Sequence, residues 1–270
     1  MARFKFFIEY EGTRYSGWQV QQNARTVQGE IMLALHHVLK TDTFEFVGSG
    51  RTDAGVHALE QVAHLEARTQ LAPEIIRMKM NDALPPDINI LEVEKAPESF
   101  HARHDATARS YLYQIARRRT AFGKRYVWWI KDDLGFSTMN DASKLFLGMN
   151  DLRSLTEDDP DEKSTKVLIE EIDLKEAGEL ILVRIKGSHF IWKLVRRVVG
   201  VLAEVGRGAF GMDQVGQFIK QQSDTPARFT APPSGLFLER VYYRTDERKQ
   251  QPLQPAFPVS AFLHRTRSKR

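Results

Sequence analysis

The sequence predicts an α+β protein in which the order strand, helix, strand, strand, helix, strand is run through twice. Three observations predict it. Short runs alternate apolar and polar residues, longer stretches place apolar residues three and four apart, and turn residues separate the two kinds of segment.

Residues 3–10 read as the first strand. Thr26 can cap a helix over 27–40, where Val27, Ile31, Ala34, Leu35 and Val38 make one face. Residues 43–48 (TFEFVG) alternate as a half-buried strand does, and 61–66 (QVAHLE) supply a second strand. Pro73 suits the first turn of a helix running to about residue 84, with Ile76 and Met80 one turn apart, and 88–93 close the half as a strand. The second half opens with a strand at 110–117 (SYLYQIAR). It continues with a short helix at 140–147, strands at 166–174 and 180–185, a long helix at 190–205, an additional helix at 212–221 and a last strand at 235–243. On the long helix Phe190, Leu194, Val198, Val201 and Val205 share a face that Trp192, Val195 and Val199 widen, leaving Lys193, Arg197 and Glu204 on the remainder. Each half thus has the order of a split βαβ, ferredoxin-like unit, and two such units can join into one mainly antiparallel sheet with a ligand cleft between them. The expected organisation is 1–98, 99–244 and a Pro/Gln-rich basic tail over 245–270 that ends in RTRSKR.

With 270 residues and 42% hydrophobic content, the chain can bury a full core. It has no run of about 18 or more apolar residues for a membrane span or signal peptide, so a cytoplasmic protein is expected. The absence of cysteine excludes disulfides, thiol catalysis and thiolate metal sites, which leaves carboxylates, hydroxyls and imidazoles for chemistry. A net charge of +4 favours a nucleic-acid partner. Its distribution says more: Arg117, Arg118, Arg119, Lys124 and Arg125 are interleaved with Phe122, Tyr126, Trp128 and Trp129, a mixture suited to phosphate contacts and base stacking, and equally to a solvated basic loop beside core aromatics.

The stretch GRTDAGVHA, residues 50–58, places the carboxylate of Asp53 between an arginine and a glycine in a loop between strands. Gly48, Gly50 and Gly55 permit backbone geometry and close approach that other residues forbid. Arg51 can contact an anion or hold the carboxylate ionised. The same residues also suit a Gly-rich hairpin with a turn-forming aspartate. A Walker-type phosphate loop is excluded, since the lysine and hydroxyl that must follow its second glycine are replaced by Val56 and His57. The histidines at 36, 37, 57, 64, 101 and 104 lack an HExxH helix or cysteine partners, so no metal is expected. Arg196, at the edge of the apolar helix face near Trp192 and Ala203, calls for an anionic partner such as Asp53 or an RNA phosphate, or else snorkels at the helix boundary.

Taken together, GRTDAGVHA, YEGTRYSGWQVQ (10–21), TVQGE (26–30), FHARHDATARSYLYQI (100–115), LVRRVVG (194–200) and APPSGLFLERVYY (231–243) resemble the tRNA pseudouridine synthase A family, in order over most of residues 3–243. The resemblance implies two ferredoxin-like halves around a basic cleft. It also implies that Asp53 is the catalytic aspartate, that Arg51 helps extrude the target base and that Tyr111 stacks on it. Arg196 would pair with the aspartate, and Leu236 would wall the uracil pocket. It implies isomerisation of uridine in the tRNA anticodon stem-loop, at tRNA positions 38 to 40, by a homodimer that needs no cofactor or metal. The competing readings are a non-catalytic RNA-binding module, which the complete set Arg51, Asp53, Tyr111 and Arg196 disfavours, and a paralogue acting on another RNA. The chain departs from the family pattern at Glu11, in the segment DLRSL (151–155), at Trp192 and Lys193 where histidines are frequent, and at Arg197. An acidic stretch, TEDDPDEK (156–163), would repel phosphate, so it is expected to lie at the rim of an RNA cleft or to steer which RNA is accepted.

Overall fold

The computed structural model describes residues 1–158, 164–244 and 250–257. Two compact units result, Met1–Thr107 with Phe237–Glu247 and Ala108–Leu236 with Arg248–Arg270. The class is mixed α+β with mainly antiparallel pairing.

In the first unit β1 (Ala2–Tyr10) runs antiparallel to β3 (His57–Ala67) on one side and to β4 (Ile88–Ala96) on the other. Phe4, Phe6, Ile8 and Tyr10 alternate into the core, as strand periodicity requires. The far edge of β3 is shared. β2 (Phe44–Gly48) pairs antiparallel with its second half, while Phe237 and Leu238 of β10 (Leu236–Tyr243) run parallel beside His57 and Ala58 at its start. Two helices accompany this sheet, α1 (Val27–Leu39) and α2 (Pro73–Ala83). Thr26 caps α1, its Oγ1 accepting the Gly29 N–H at 3.2 Å, and the face from Val27 to Val38 is buried. Pro73 occupies the first turn of α2, and Ile76 and Met80 are fully buried.

The second unit contains nearly all of β5 (Ala106–Ala116), which lies antiparallel to β9 (Leu180–Gly187). β9 pairs with β8 (Lys166–Ala177), and β8 with β7 (Gly148–Asp151), again antiparallel. A two-residue strand, β6 (Trp128–Trp129), runs parallel to the end of β5. The helices are α3 (Phe136–Ser143), α4 (Leu194–Gly206) and α5 (Met212–Lys220). β6 and β7 have no counterpart in the sequence reading, because two to four residues are too short to display an alternation.

Three expectations are corrected here. The long helix starts at Leu194, not at residue 190, because Lys193 adopts a left-handed backbone (φ 62°) that a helix cannot contain. Trp192 therefore lies outside the apolar face and is 48% exposed. Arg197 and Glu204, assigned by periodicity to the polar face, are buried at 3% and 8% exposure. Finally, residues 250–257 of the C-terminal segment pack on the second unit rather than trailing from it. Leu253 is buried with its carbonyl accepting from Lys175 Nζ at 3.0 Å, and the Ala256 N–H donates to Gln114 Oε1 at 2.8 Å. RTRSKR lies outside the described residues.

Candidate active site

The turn carrying Asp53 is held from beneath by the segment between β1 and α1. Tyr10 and Thr52 share a hydroxyl hydrogen bond of 2.8 Å, the Gly12 N–H donates to His57 Nδ1 at 2.9 Å, and the Trp18 N–H donates to the Thr52 carbonyl at 3.1 Å. Across the turn itself the Val56 N–H donates to the Asp53 carbonyl at 3.1 Å, and the Gly55 N–H to the Tyr15 carbonyl at 3.3 Å. The two glycines of YEGTRYSGW have a steric purpose. A Cβ on Gly12 would stand 1.9 Å from the Val56 carbonyl oxygen, and one on Gly17 2.6 Å from the Thr52 carbonyl oxygen. Sequence reasoning found this segment only through the family resemblance; the physical signal was its paired glycines ahead of a capped helix.

At the other end of the loop the Ser49 N–H donates to the Val62 carbonyl at 2.7 Å, Ser49 Oγ donates to Gln61 Oε1 at 2.7 Å, and Gln61 Nε2 donates to the Gly50 carbonyl at 3.1 Å. Only Gly55 of the three loop glycines has a positive φ, 78°. Gly48 is needed because a Cβ would meet the Trp18 indole at 2.6 Å, whereas nothing lies within 4 Å of a Cβ at Gly50. With its backbone fixed in this way, the loop presents Arg51 exposed and Asp53 partly buried, two residues apart, while Thr52 between them points into the core.

Tyr15 is itself secured, its hydroxyl donating to Asp87 Oδ1 at 2.6 Å. Burial opposes ionisation of Asp87, but the bonds from Tyr15 and Arg14 outweigh it and hold the carboxyl below its ordinary range.

Tyr111, Arg196 and Leu236 belong to the second unit. Tyr111 on β5 is 8% exposed, with its ring edge-to-face against Phe190 at 4.9 Å. Arg196 on α4 is partly buried and is tied to residue 231 twice, Nε donating to the Ala231 carbonyl at 2.7 Å and its own carbonyl accepting the Ala231 N–H at 3.0 Å. This approach explains Gly200 in LVRRVVG, where a Cβ would sit 1.7 Å from the Phe229 carbonyl oxygen. The hydroxyl of Tyr113, which donates to the Pro232 carbonyl at 2.7 Å, is pushed well above its ordinary pKa by burial, with the Arg196 charge acting in the opposite direction. Leu236, 5% exposed, begins β10 directly after Gly235, whose missing side chain makes room for the Tyr113 ring. Arg51 and Asp53 are thus grouped on one loop of the first unit, and the Arg196 backbone, Tyr113 and the segment 231–236 are grouped in the second.

The described part of the acidic stretch is bonded to the start of α4 and the residues before it. Glu157 Oε1 accepts from Arg197 Nη2 at 2.8 Å and Glu157 Oε2 from Lys193 Nζ at 2.7 Å, and Arg197 Nη1 also donates to the Thr156 carbonyl. The Lys193 bond is the largest influence holding the Glu157 carboxyl below its ordinary pKa. Asp158 Oδ2 accepts the Trp192 N–H at 2.9 Å, and Thr156 Oγ1 donates to the Trp192 carbonyl at 3.0 Å. Glu157 thus neutralises Lys193 and Arg197 of its own unit, the partner that a buried guanidinium requires. Histidines serve the fold as well, His57 accepting from Gly12 and His64 Nδ1 accepting the Ala102 N–H at 3.2 Å. Among the described residues no three His, Cys, Asp or Glu side chains are placed to hold a metal ion, and no helix is long and apolar enough to cross a membrane.

The comparisons with known proteins bear on the chain as a whole. The chain is an RNA-modifying isomerase by every comparison of its sequence: the profile described as tRNA pseudouridine synthase matches residues 7–105 and 142–244, an extent that includes Arg51, Asp53, Arg196 and Leu236 and leaves Tyr111 in the unmatched interval. Curated relatives span that interval. tRNA pseudouridine synthase A of Aquifex aeolicus is 35% identical over 89% of this chain and 99% of its own length. The Bacteroides thetaiotaomicron enzyme of that name is 35% identical over 96% and 98%, and that of Limosilactobacillus reuteri 36% identical over 92% and 100%. The chain belongs to the tRNA pseudouridine synthase family, and it isomerises uridine to pseudouridine in tRNA.

Proposed function

We propose that this synthase acts on the anticodon stem-loop, at tRNA positions 38 to 40, with Asp53 as its catalytic residue. The observation that supports the reading most directly is the buttressed turn: six hydrogen-bonded anchors, Tyr10, Gly12, Tyr15, Trp18, Ser49 and Gln61, fix a loop whose charged residues are Arg51, exposed, and Asp53, partly buried. Pre-positioned charge of this kind is what an isomerisation needs. The bond from uracil N1 to ribose C1′ breaks and one from C5 to C1′ forms. The C5 proton leaves to solvent and N1 gains one, so the reaction balances with no oxidant or added group. We assign Asp53 to the reacting centre, as nucleophile or base, and Arg196 as the cation that pairs with it. Arg51 helps to extrude the target base, Tyr111 stacks on it, and Leu236 walls its pocket; extrusion costs a few kcal/mol that stacking and phosphate contacts offset. The proposed enzyme is a cytoplasmic homodimer of two ferredoxin-like halves about a basic cleft.

Tritium release from tRNA carrying 5-tritiated uridine tests this. The wild type is expected to release tritium and Asp53→Asn to release none while still binding tRNA; retained release in the variant would remove Asp53 from the reaction. Mapping pseudouridine in the product then separates the anticodon stem-loop from any other target.

A further inference from the structure

Residues 117–131 contain no carboxylate, lie in the interval that the family profile leaves unmatched, and are built as an anchored loop of the second unit. Gln114 Nε2 donates to the Tyr126 carbonyl at 2.7 Å, Ser234 Oγ to the Val127 carbonyl at 3.2 Å, and the Ile130 N–H to the Ala116 carbonyl at 3.0 Å. Gly123, at φ 70°, turns the chain into a single 3-10 turn, Lys124–Tyr126. The backbone of the loop is therefore tied to the second unit at Tyr126, Val127 and Ile130. Phe122 is 74% exposed and Trp129 42%, and the Arg119 guanidinium lies 5.9 Å from the centre of the Trp129 ring, with Arg119, Lys124 and Arg125 all exposed. Large exposed aromatics on an anchored loop mark a contact surface. Cations without an intervening acid select a polyanion, and an arginine beside an indole forms a surface on which a base can stack.

We propose that this loop is a further tRNA-binding surface, with Arg119, Lys124 and Arg125 meeting phosphates and Trp129 and Phe122 stacking on bases or riboses of the substrate. The proposal rests on tRNA being the substrate and is independent of which uridine is modified.

The full-length triple variant Arg119→Gln, Lys124→Gln, Arg125→Gln tests it, with tRNA affinity read by filter retention across a salt series and turnover read by tritium release. Its Kd for unmodified tRNA is expected to rise about tenfold or more, and the slope of log Kd against log salt to fall by about 2, as loss of three phosphate contacts requires. kcat at saturating tRNA should stay within about twofold. Trp129→Ala is expected to raise Kd by about tenfold with the slope unchanged, because stacking carries no counterions. An unchanged Kd and slope in a folded triple variant overturns the proposal. An unchanged Kd with an altered sedimentation coefficient overturns it too, and assigns the surface to a second copy of the chain. Filter retention needs no turnover, so a wild type that binds tRNA and releases no tritium would count against the assigned reaction and leave this reading standing or falling on Kd alone.

Discussion

Replacing Gly12 by alanine is the sharpest probe of how the Asp53 carboxylate is positioned. The new Cβ would lie 1.9 Å from the Val56 carbonyl oxygen and 2.6 Å from the carbonyl carbon, both backbone atoms that cannot rotate away. Ordinary contact needs about 3.5 Å, so Val56 and Gly12 must separate by more than about 1 Å. Because the Val56 N–H is bonded to the Asp53 carbonyl, that displacement passes into the turn itself. Overpacking of this kind costs about 1–3 kcal/mol, which for a chain of this size lowers Tm by several degrees. Misplacing a reacting group by about 1 Å costs roughly 100-fold in rate. Single-turnover tritium release at saturating tRNA should therefore fall by about two orders of magnitude, with tRNA affinity within a few-fold of wild type. Gly50→Ala, where no atom lies within 4 Å of the added methyl, should leave Tm within about a degree. A Gly12→Ala protein with the expected drop in Tm and a rate within threefold of wild type would refute the idea that this contact sets the carboxylate's position.

The remaining expectations concern stability as well as turnover. Burial, reinforced by His101 and Arg3, lowers the pKa of His64 to about 4 from its ordinary 6.5. Between those values the unfolded chain takes up a proton that the folded one refuses, so the contribution is fully present above about pH 6.5 and is lost as pH falls toward 4, by up to about 3 kcal/mol. Urea midpoints at pH 7 and 4.5 measure it, and a His64→Gln variant with equally steep pH dependence would exclude this residue as the source. Arg197→Ala should cost about 2–3 kcal/mol in urea unfolding, because it removes a buried side chain, leaves the Thr156 carbonyl without its guanidinium donor and leaves Glu157 only Lys193; Glu157→Gln should cost under about 1, since that carboxylate is 37% exposed. Equal losses in the two would contradict this account. Gly200→Ala should drive α4 from residues 229–231, lower Tm by several degrees and reduce kcat at least about tenfold by moving Arg196, and unchanged kcat would show that Arg196 does not depend on its bond to Ala231.

Local signals in the sequence were read where they were sufficient and misread where distant residues decide. Thr26 before an apolar stripe placed α1, and Pro73 placed α2, since capping and fixed φ act within a few residues. The start of α4 was misplaced because Thr156 and Asp158, more than 30 positions away, hold both peptide groups of Trp192 outside the helix. Arg197 looked solvent-facing for a related reason: periodicity registers a charge but not the carboxylate and carbonyl that bury it. Asp53 is singled out by motif, and its spacing alone would also suit a hairpin turn. What marks the loop physically, the closure of Gly12 and Gly17 on its backbone, becomes visible only when residues 10–18 and 52–56 are seen in contact. Of the three loop glycines only two have a steric or conformational need, a distinction that composition cannot make.

The first unit is not continuous along the chain. Its share of β10 begins at Phe237, after the whole of residues 108–236 has been built into the second, and Phe237 then stacks on His57 at 4.8 Å while the Tyr243 hydroxyl donates to the Ala102 carbonyl at 2.6 Å. His57 is the residue that receives Gly12, so the support beneath Asp53 is completed by a residue that follows the whole of 108–236 in the chain. On a ribosome, a chain that stops short of residue 237 carries every residue of the Asp53 loop and lacks the ring that stacks on His57. The order of synthesis thus delays completion of the support under the Asp53 loop until residues 108–236 have been made.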